Sequence, residues 1–245
     1  MTNRHGSFAL VDVGALHAEL CFTAAAVLDP RVLFDVLLKP VLILLFKVCG
    51  AYFVHAASVL GGGRSIMFVG EQGVGKSTIC TMSIQAGHAT LADDQHLLRM
   101  TRNGQVEALG LPSRFNLDPS IAAYVPRLGF LSHTAARDDG PKRSFVIDSV
   151  YPRALRHRCV PTHLVLLSPP SACASSFVRP LAKADALCRL IRHSETVFLD
   201  LGAPGAHLHA LTQLVEQCEC VQASLGHDVY HEPSRVLDLC AQQMA

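Results

Sequence analysis

One run of nine residues restricts this chain more than anything else in it: Gly70-Glu71-Gln72-Gly73-Val74-Gly75-Lys76-Ser77-Thr78. It fits the pattern G-x-x-x-x-G-K-[ST]. The apolar segment Ser65 to Val69 (SIMFV) precedes it. A helical stretch from Lys76 to about Ala86 follows, closed by Gly87. A buried strand, a glycine turn and a helix must therefore follow one another without a break. Each position has a mechanical reason. Glycines reach backbone conformations closed to other residues, so successive N–H groups can turn inward on phosphate oxygens. Lys76 brings a positive charge to the β and γ phosphates. Ser77 can offer a hydroxyl to Mg²⁺, and Thr78 can donate to a further phosphate oxygen. The helix adds its positive end. The run reads as a cradle for the phosphates of ATP or GTP.

The rest of the chain alternates between two periods, and that alternation points to an α/β layered domain. Ser7 to Val13 and Ala18 to Phe22 read as short strands. Pro30 to Lys47 has helical spacing with a kink at Pro40. Ala51 to Leu60 reads as a strand turning at Gly61-Gly62-Gly63. A short strand from Thr90 to Ala92 ends at Asp93 and Asp94. Ser113 to Pro126 mixes turn residues with apolar ones, and Ser132 to Ser144 is a polar surface loop. Thr162 to Ser168 is a core strand, followed by a Pro/Ser loop to Ser176. Leu181 to His193 and Ala206 to Cys220 read as helices, with Thr196 to Leu201 a strand between them. Residues 1–50 are expected to pack as strands and helix on a core unit spanning 51–245.

Composition narrows the functional classes. Half the residues are hydrophobic and 17% are charged, a globular balance. Lys plus Arg is 21 against 20 for Asp plus Glu, a net charge of +1, which gives no general field for nucleic acid or an anionic membrane. The most hydrophobic stretch, Val32 to Leu60, is interrupted by Asp35, Lys39, Lys47 and His55 and broken by Pro40, so a membrane span is not expected. The start, with Asp12, His17 and Glu19, has no apolar core of the signal-peptide type. The 9 cysteines are scattered and include no CxxC pair, which suits reduced thiols in a cytoplasmic protein. His207, His209, Cys218 and Cys220 lie near one another but lack zinc spacings, and they read as packing residues of a helix.

Asp93 and Asp94 lie 17 and 18 residues after Lys76, one helix and one turn later. A strand ending there can sit beside the glycine loop. One acid can then hold Mg²⁺ and the other accept a proton from an incoming hydroxyl. Spacing leaves a second reading equally open, a solvated turn or a helix cap before Gln95. The second acidic pair, Asp138 and Asp139, reads as part of the polar loop. His55, 21 residues before Lys76, lies on the strand before the glycine turn. It reads as a core histidine or as a member of the site.

Taken in order, His55-Ala56-Ala57-Ser58, the glycine loop, Gly87-His88 and Asp93-Asp94 resemble the kinase domain of HPr kinase/phosphorylase and its relatives. The resemblance covers about Ala51 to Leu98. It implies a phosphate-loop kinase core, a central sheet flanked by helices, with a small N-terminal extension. It implies transfer of the γ-phosphoryl group of ATP, with Mg²⁺, to a hydroxyl. Asp94 would act as general base, Asp93 and Ser77 would lie at Mg²⁺, and His55 and Lys76 would lie at the reacting phosphoryl group. The further downstream motif of the bifunctional enzymes is not found in Val106 to Pro126, and Thr78 stands where those enzymes commonly carry an acid. The chain looks more like the short relatives without a separate large N-terminal domain, some of which phosphorylate a serine of a ribosomal precursor peptide, lasso peptide precursors included. The expected partner is a peptide or small protein bearing an acceptor serine, with a homo-oligomer also in view. Lys142 or Arg143 of the polar loop would then serve as charge neutralisers. The competing reading is a nucleotide-dependent switch or NTPase acting on a partner protein, with Asp94 positioning water.

Overall fold

The structure, a computed structural model, describes residues 6–28, 32–111, 114–136, 140–169, 173–194, 196–199 and 205–242. Two strands, β1 (Phe8–Asp12) and β2 (His17–Cys21), form a separate antiparallel ribbon. A short helix, α1 (Ala24–Leu28), and a π-helical stretch, Val32–Leu38, lead into α2 (Lys39–Val48). The break expected at Pro40 takes the form of that wider π turn just before it. Proline has no N–H to donate and its ring crowds the preceding turn, so regular α geometry resumes only with Pro40 in the first turn of α2.

The body of the molecule is an eight-stranded mixed sheet. Its strands are β3 (Ala51–Gly61), β4 (Arg64–Val69), β5 (Gln95–Met100), β6 (Val106–Gly110), β9 (Arg158–Cys159), β10 (His163–Leu167), β11 (Phe177–Pro180) and β12 (Glu219–Ser224). A small antiparallel pair, β7 (Phe115–Leu117) and β8 (Arg143–Phe145), forms a separate two-stranded sheet. In space the order is β11-β12-β10-β4-β3-β5-β6-β9. β4, β10 and β12 are parallel and β3 is antiparallel to β4. The centre is apolar on both faces: Met67, Phe68, Val69, Leu164 and Val165 are fully buried. That explains why β4 and β10 read as unbroken apolar runs rather than alternating ones.

Helices cover both faces. On one lie α3 (Lys76–Gln85) and α6 (Pro233–Gln242), packing Ile79, Met82, Val236 and Leu237 against Ala57, Val59, Phe68 and Val165. On the other lie α4 (Lys183–Arg192) and α5 (Ala206–Gln217), packing Leu190, Leu211 and Leu214 against Val54, Met67 and Leu166. The fold is therefore mixed α/β, a large central sheet flanked by helices, as expected. α2 packs Ile43 against Phe53 and Leu97. Lys47 of α2 is buried and donates to the carbonyls of Thr196 and Leu199.

Three expectations fail. Thr196–Leu199 is a turn, not a strand, and its carbonyls go to Lys47 rather than to a sheet neighbour; 200–204 lie outside the described residues. The last helix before the C-terminal segment stops at Gln217, so Cys218 and Cys220 are not helical. Cys220 lies in β12, whose backbone groups pair with both β10 and β11. Thr90 to Ala92 forms no strand: Thr90 bridges Leu155, Ala89 bridges Leu60, and Ala92 lends its carbonyl to the Ser58 N–H. Of the readings left open for the acid pair, the helix cap is excluded, because Gln95 begins β5.

Candidate phosphate site

The glycine loop leaves the carboxyl end of β4, a central strand. In open α/β sheets ligands bind at such ends. Gly73 and Gly75 hold φ of 89° and 99°, a region that a side chain makes costly. Gly70 is needed for a different reason: a Cβ there would lie 2.9 Å from Val74 Cγ2 and 3.0 Å from the Leu167 carbonyl. Val74 turns its side chain into the core and fixes the loop from beneath, while Glu71, Gln72 and Gly73 are exposed. Gly75 caps α3, which begins at Lys76, so the helix's unpaired N–H groups open into the loop.

Lys76 is buried, and its ammonium donates to the carbonyls of Gly70 and Glu71 (3.0 Å to the latter). Burial lowers its pKa, Asp94 raises it, and Lys142 lowers it again. Lys142, the residue before β8, therefore lies within electrostatic reach of the loop. Arg143 is committed locally, to the Pro141 and Lys142 carbonyls. Of the two cations expected to serve the loop, Lys142 reaches it. Asp138 and Asp139 lie outside the described residues.

The acids come to the same edge. Asp94 and Ala92 extend the β3–β5 pairing, their carbonyls accepting from Ala56 and Ser58, each at 3.0 Å. Ala56 is also paired with Val69, the last residue of β4. Sheet alternation puts His55 on the face of Phe53, Ala57 and Val59, the face that α3 covers. There His55 Nδ1 lies 3.0 Å from Asp94 Oδ1, both side chains being about a third exposed. Gln95 Nε2 donates to the other oxygen, Oδ2, at 3.2 Å.

Asp93 differs sharply from its neighbour. It is 1% exposed, and neither oxygen meets hydrogen-bond geometry with a described group. Burial, and then the charge of Asp94, push its pKa up to about 7; the Ser77 hydroxyl and the Asn116 backbone are near enough to pull it down in part. A buried carboxylate facing a serine hydroxyl beside the open N–H groups of a helix start suits a hard divalent cation. Among the described residues no group of three or more His, Cys, Asp or Glu is placed to hold a metal. A cation here would complete its shell with phosphate oxygens and water, the usual manner of Mg²⁺.

Comparison with known proteins adds little to this geometry. No family model matches the chain and no curated protein does so. Among solved structures it resembles the Hpr(Ser) kinase/phosphatase from Coxiella burnetii, at 15% identity and a TM-score of 0.35, over 53% of this chain and 76% of that one. This is a distant, partial likeness, and at that score it carries no argument about chemistry.

Two participants escaped the sequence reading. His193 ends α4, and its carbonyl accepts from the His55 N–H at 2.8 Å. The two imidazoles stack with centroids 6.4 Å apart. Burial lowers the pKa of His193, with Glu71 and Lys76 both acting on it. No local pattern marks it, because only the sheet brings it to β3. Gln95 was visible only as the residue after the acids. His88, by contrast, sits away from the loop at the far end of α3. It packs on Gly61, where a Cβ would lie 2.0 Å from its ring, and pairs with Ser234 of α6 at 3.2 Å.

Proposed function

We propose that this protein is a kinase that transfers the γ-phosphoryl group of ATP, with Mg²⁺, to a hydroxyl, the acceptor being a serine of a peptide or small protein. The observation that carries this reading is the division of labour between adjacent acids. Asp93 is buried and unpartnered beside Ser77. Asp94 is accessible and held from both sides by His55 and Gln95. Phosphoryl transfer asks a protein for alignment and charge neutralisation more than for covalent chemistry.

Ser77 and Asp93 would hold Mg²⁺, which when bound offsets the charge of the β and γ phosphates. The backbone N–H groups of Gly73 to Thr78 grip the phosphate oxygens, and Lys76 exchanges its loop carbonyls for them. Lys142 adds a second positive charge from its place just before β8. Asp94 accepts the proton of the acceptor hydroxyl as its oxygen bonds to the γ phosphorus and the bond to ADP breaks. His55 keeps the carboxylate oriented for that proton. No helix among the described residues is long and apolar enough to cross a membrane. A cytoplasmic peptide kinase, free or self-assembled and with no nucleic-acid partner, is the form proposed.

Incubation with labelled ATP and the peptides encoded beside the gene, read by mass spectrometry, should show a gain of one phosphate on serine. Lys76→Ala should abolish transfer with the fold intact. Asp94→Asn should keep ATP binding and lose transfer by about 10² or more. Release of ADP with no phosphopeptide, unaltered by any peptide, would favour the NTPase reading instead.

A further inference from the structure

The glycine loop borders a second space that none of Lys76, Asp93, Asp94 or His55 lines. It is a cleft of about 180 Å³. The loop contributes Gly73, Gly75 and Thr78; Leu225, Val229 and Tyr230 form the facing wall. This wall follows from topology. β12 runs parallel to β10 and β10 to β4, so β12 ends at the same edge of the sheet as the strand that launches the loop. The chain after it, through the 3₁₀ turn His227–Tyr230, comes back against the loop. The approach is close: a Cβ on Gly75 would lie 2.9 Å from Leu225 Cδ1.

The wall is braced before any ligand arrives. The Asp228 carboxylate accepts from the Ser176 N–H at 2.8 Å and from its hydroxyl at 2.6 Å, while the Gly226 N–H donates to that hydroxyl oxygen at 3.0 Å. Gly226 admits no side chain, since a Cβ would stand 2.4 Å from the Ser175 backbone. The Tyr230 ring stacks on Tyr124 at 4.3 Å and 26°. Apart from Thr78, the lining residues with polar side chains are His227, which is exposed, and Tyr230. The surface is thus mostly apolar with one stacked aromatic ring, preformed, and joined to the glycine loop.

A nucleotide held by its phosphates must direct its sugar and base somewhere along that loop. We propose that this cleft receives the ribose and base, and that it grips the base by apolar and aromatic contact rather than by a hydrogen-bonding code. The inference rests on the nucleotide reading above. It carries a consequence for selectivity: a pocket that does not hydrogen-bond the exocyclic groups of a purine cannot strongly reject one purine for another. ATP and GTP should bind within about tenfold of each other.

The test compares MgATP with magnesium tripolyphosphate, which has the phosphates and no nucleoside. In calorimetry the wild-type chain should bind MgATP more tightly. Tyr230→Ala should weaken MgATP about tenfold and leave tripolyphosphate within about twofold. Retained tripolyphosphate binding also shows that the variant is folded. Hydrogen exchange on the wild type supplies a measurement free of mutation: residues 225–230 should be protected by MgATP and not by tripolyphosphate. Equal wild-type affinity for the two ligands, or equal weakening of both by Tyr230→Ala, would overturn the cleft assignment alone. Binding of neither ligand would overturn the nucleotide reading and this one with it.

Discussion

Asp93 and Asp94 share a peptide bond and live in opposite surroundings. Asp94 has two partners and access to solvent; Asp93 is buried, with the Ser77 hydroxyl and the Asn116 backbone near it but outside hydrogen-bond geometry. An unpaired buried carboxylate opposes folding until something positive meets it. Asp93→Asn should therefore raise the stability of the metal-free protein by about 1–3 kcal/mol while removing any Mg²⁺-dependent gain in nucleotide affinity. Denaturant titration and calorimetry check the two halves separately. His207 makes a different point, away from the site. Its ring is 1% exposed and stacks on Tyr52 at 5.0 Å, and the Thr196 and Phe53 backbones lie near its nitrogens but outside hydrogen-bond geometry. Burial, then the nearby Lys47 charge, pushes its pKa down to about 4 from an ordinary 6.5. The unfolded chain therefore binds a proton between those values that the folded chain refuses. Stability falls as pH drops from about 6.5 toward 4. His207→Phe keeps the ring and removes the titration. Its denaturation midpoint at pH 5 should exceed the wild type's by more than it does at pH 7.5.

At the scale of elements, the parts that carry their own signal were legible. β4 and β10 are short apolar runs because they are buried on both faces, α3 is bounded by Gly75 and Gly87, and α4 shows its helical period. The glycine loop, the acid pair and His55 each announce themselves locally, and the sheet then gathers them. β5 is harder. Its sequence QHLLRM sets polar residues on either side of two leucines, with Arg99 engaged by Glu107 at 2.6 Å and His96 by Ser58 at 2.9 Å. Those partners lie on other strands, so the strand's logic is not local. β12 has no turn signal separating it from α5, and its place is set by pairing with β10 and β11. His193 is invisible for the same reason. Where element and loop meet, Gly75 is decisive. Gly75→Ala places a Cβ at φ 99° and against Leu225. It should cost about 1–2 kcal/mol of stability and lower nucleotide affinity further, because the N–H groups at the start of α3 would turn off their target. Comparing denaturation with nucleotide titration separates those two losses.

For the molecule as a whole, the sheet collects contributions from distant parts of the chain at one edge. The β4 end supplies the loop, β3 supplies His55, the segment before β5 supplies the acids, and the chain after β12 supplies a wall. The two helical layers share the central strands, so ordering at that edge draws on both halves of the core. A ligand bound there is therefore linked to global unfolding and not only to a loop. MgATP at about 100 times its dissociation constant should add about 2.7 kcal/mol. A chain of this length gains about 2–4 °C per kcal/mol, so the thermal midpoint should rise by about 5–10 °C. ATP with chelator should give a smaller rise, and Ser77→Ala, which removes one proposed magnesium ligand and leaves the core untouched, should lose most of the difference between the two. A midpoint in wild-type protein that ignores Mg²⁺ while responding fully to ATP would detach Asp93 and Ser77 from the metal. It would leave the glycine loop as an anion site without a cation beside it.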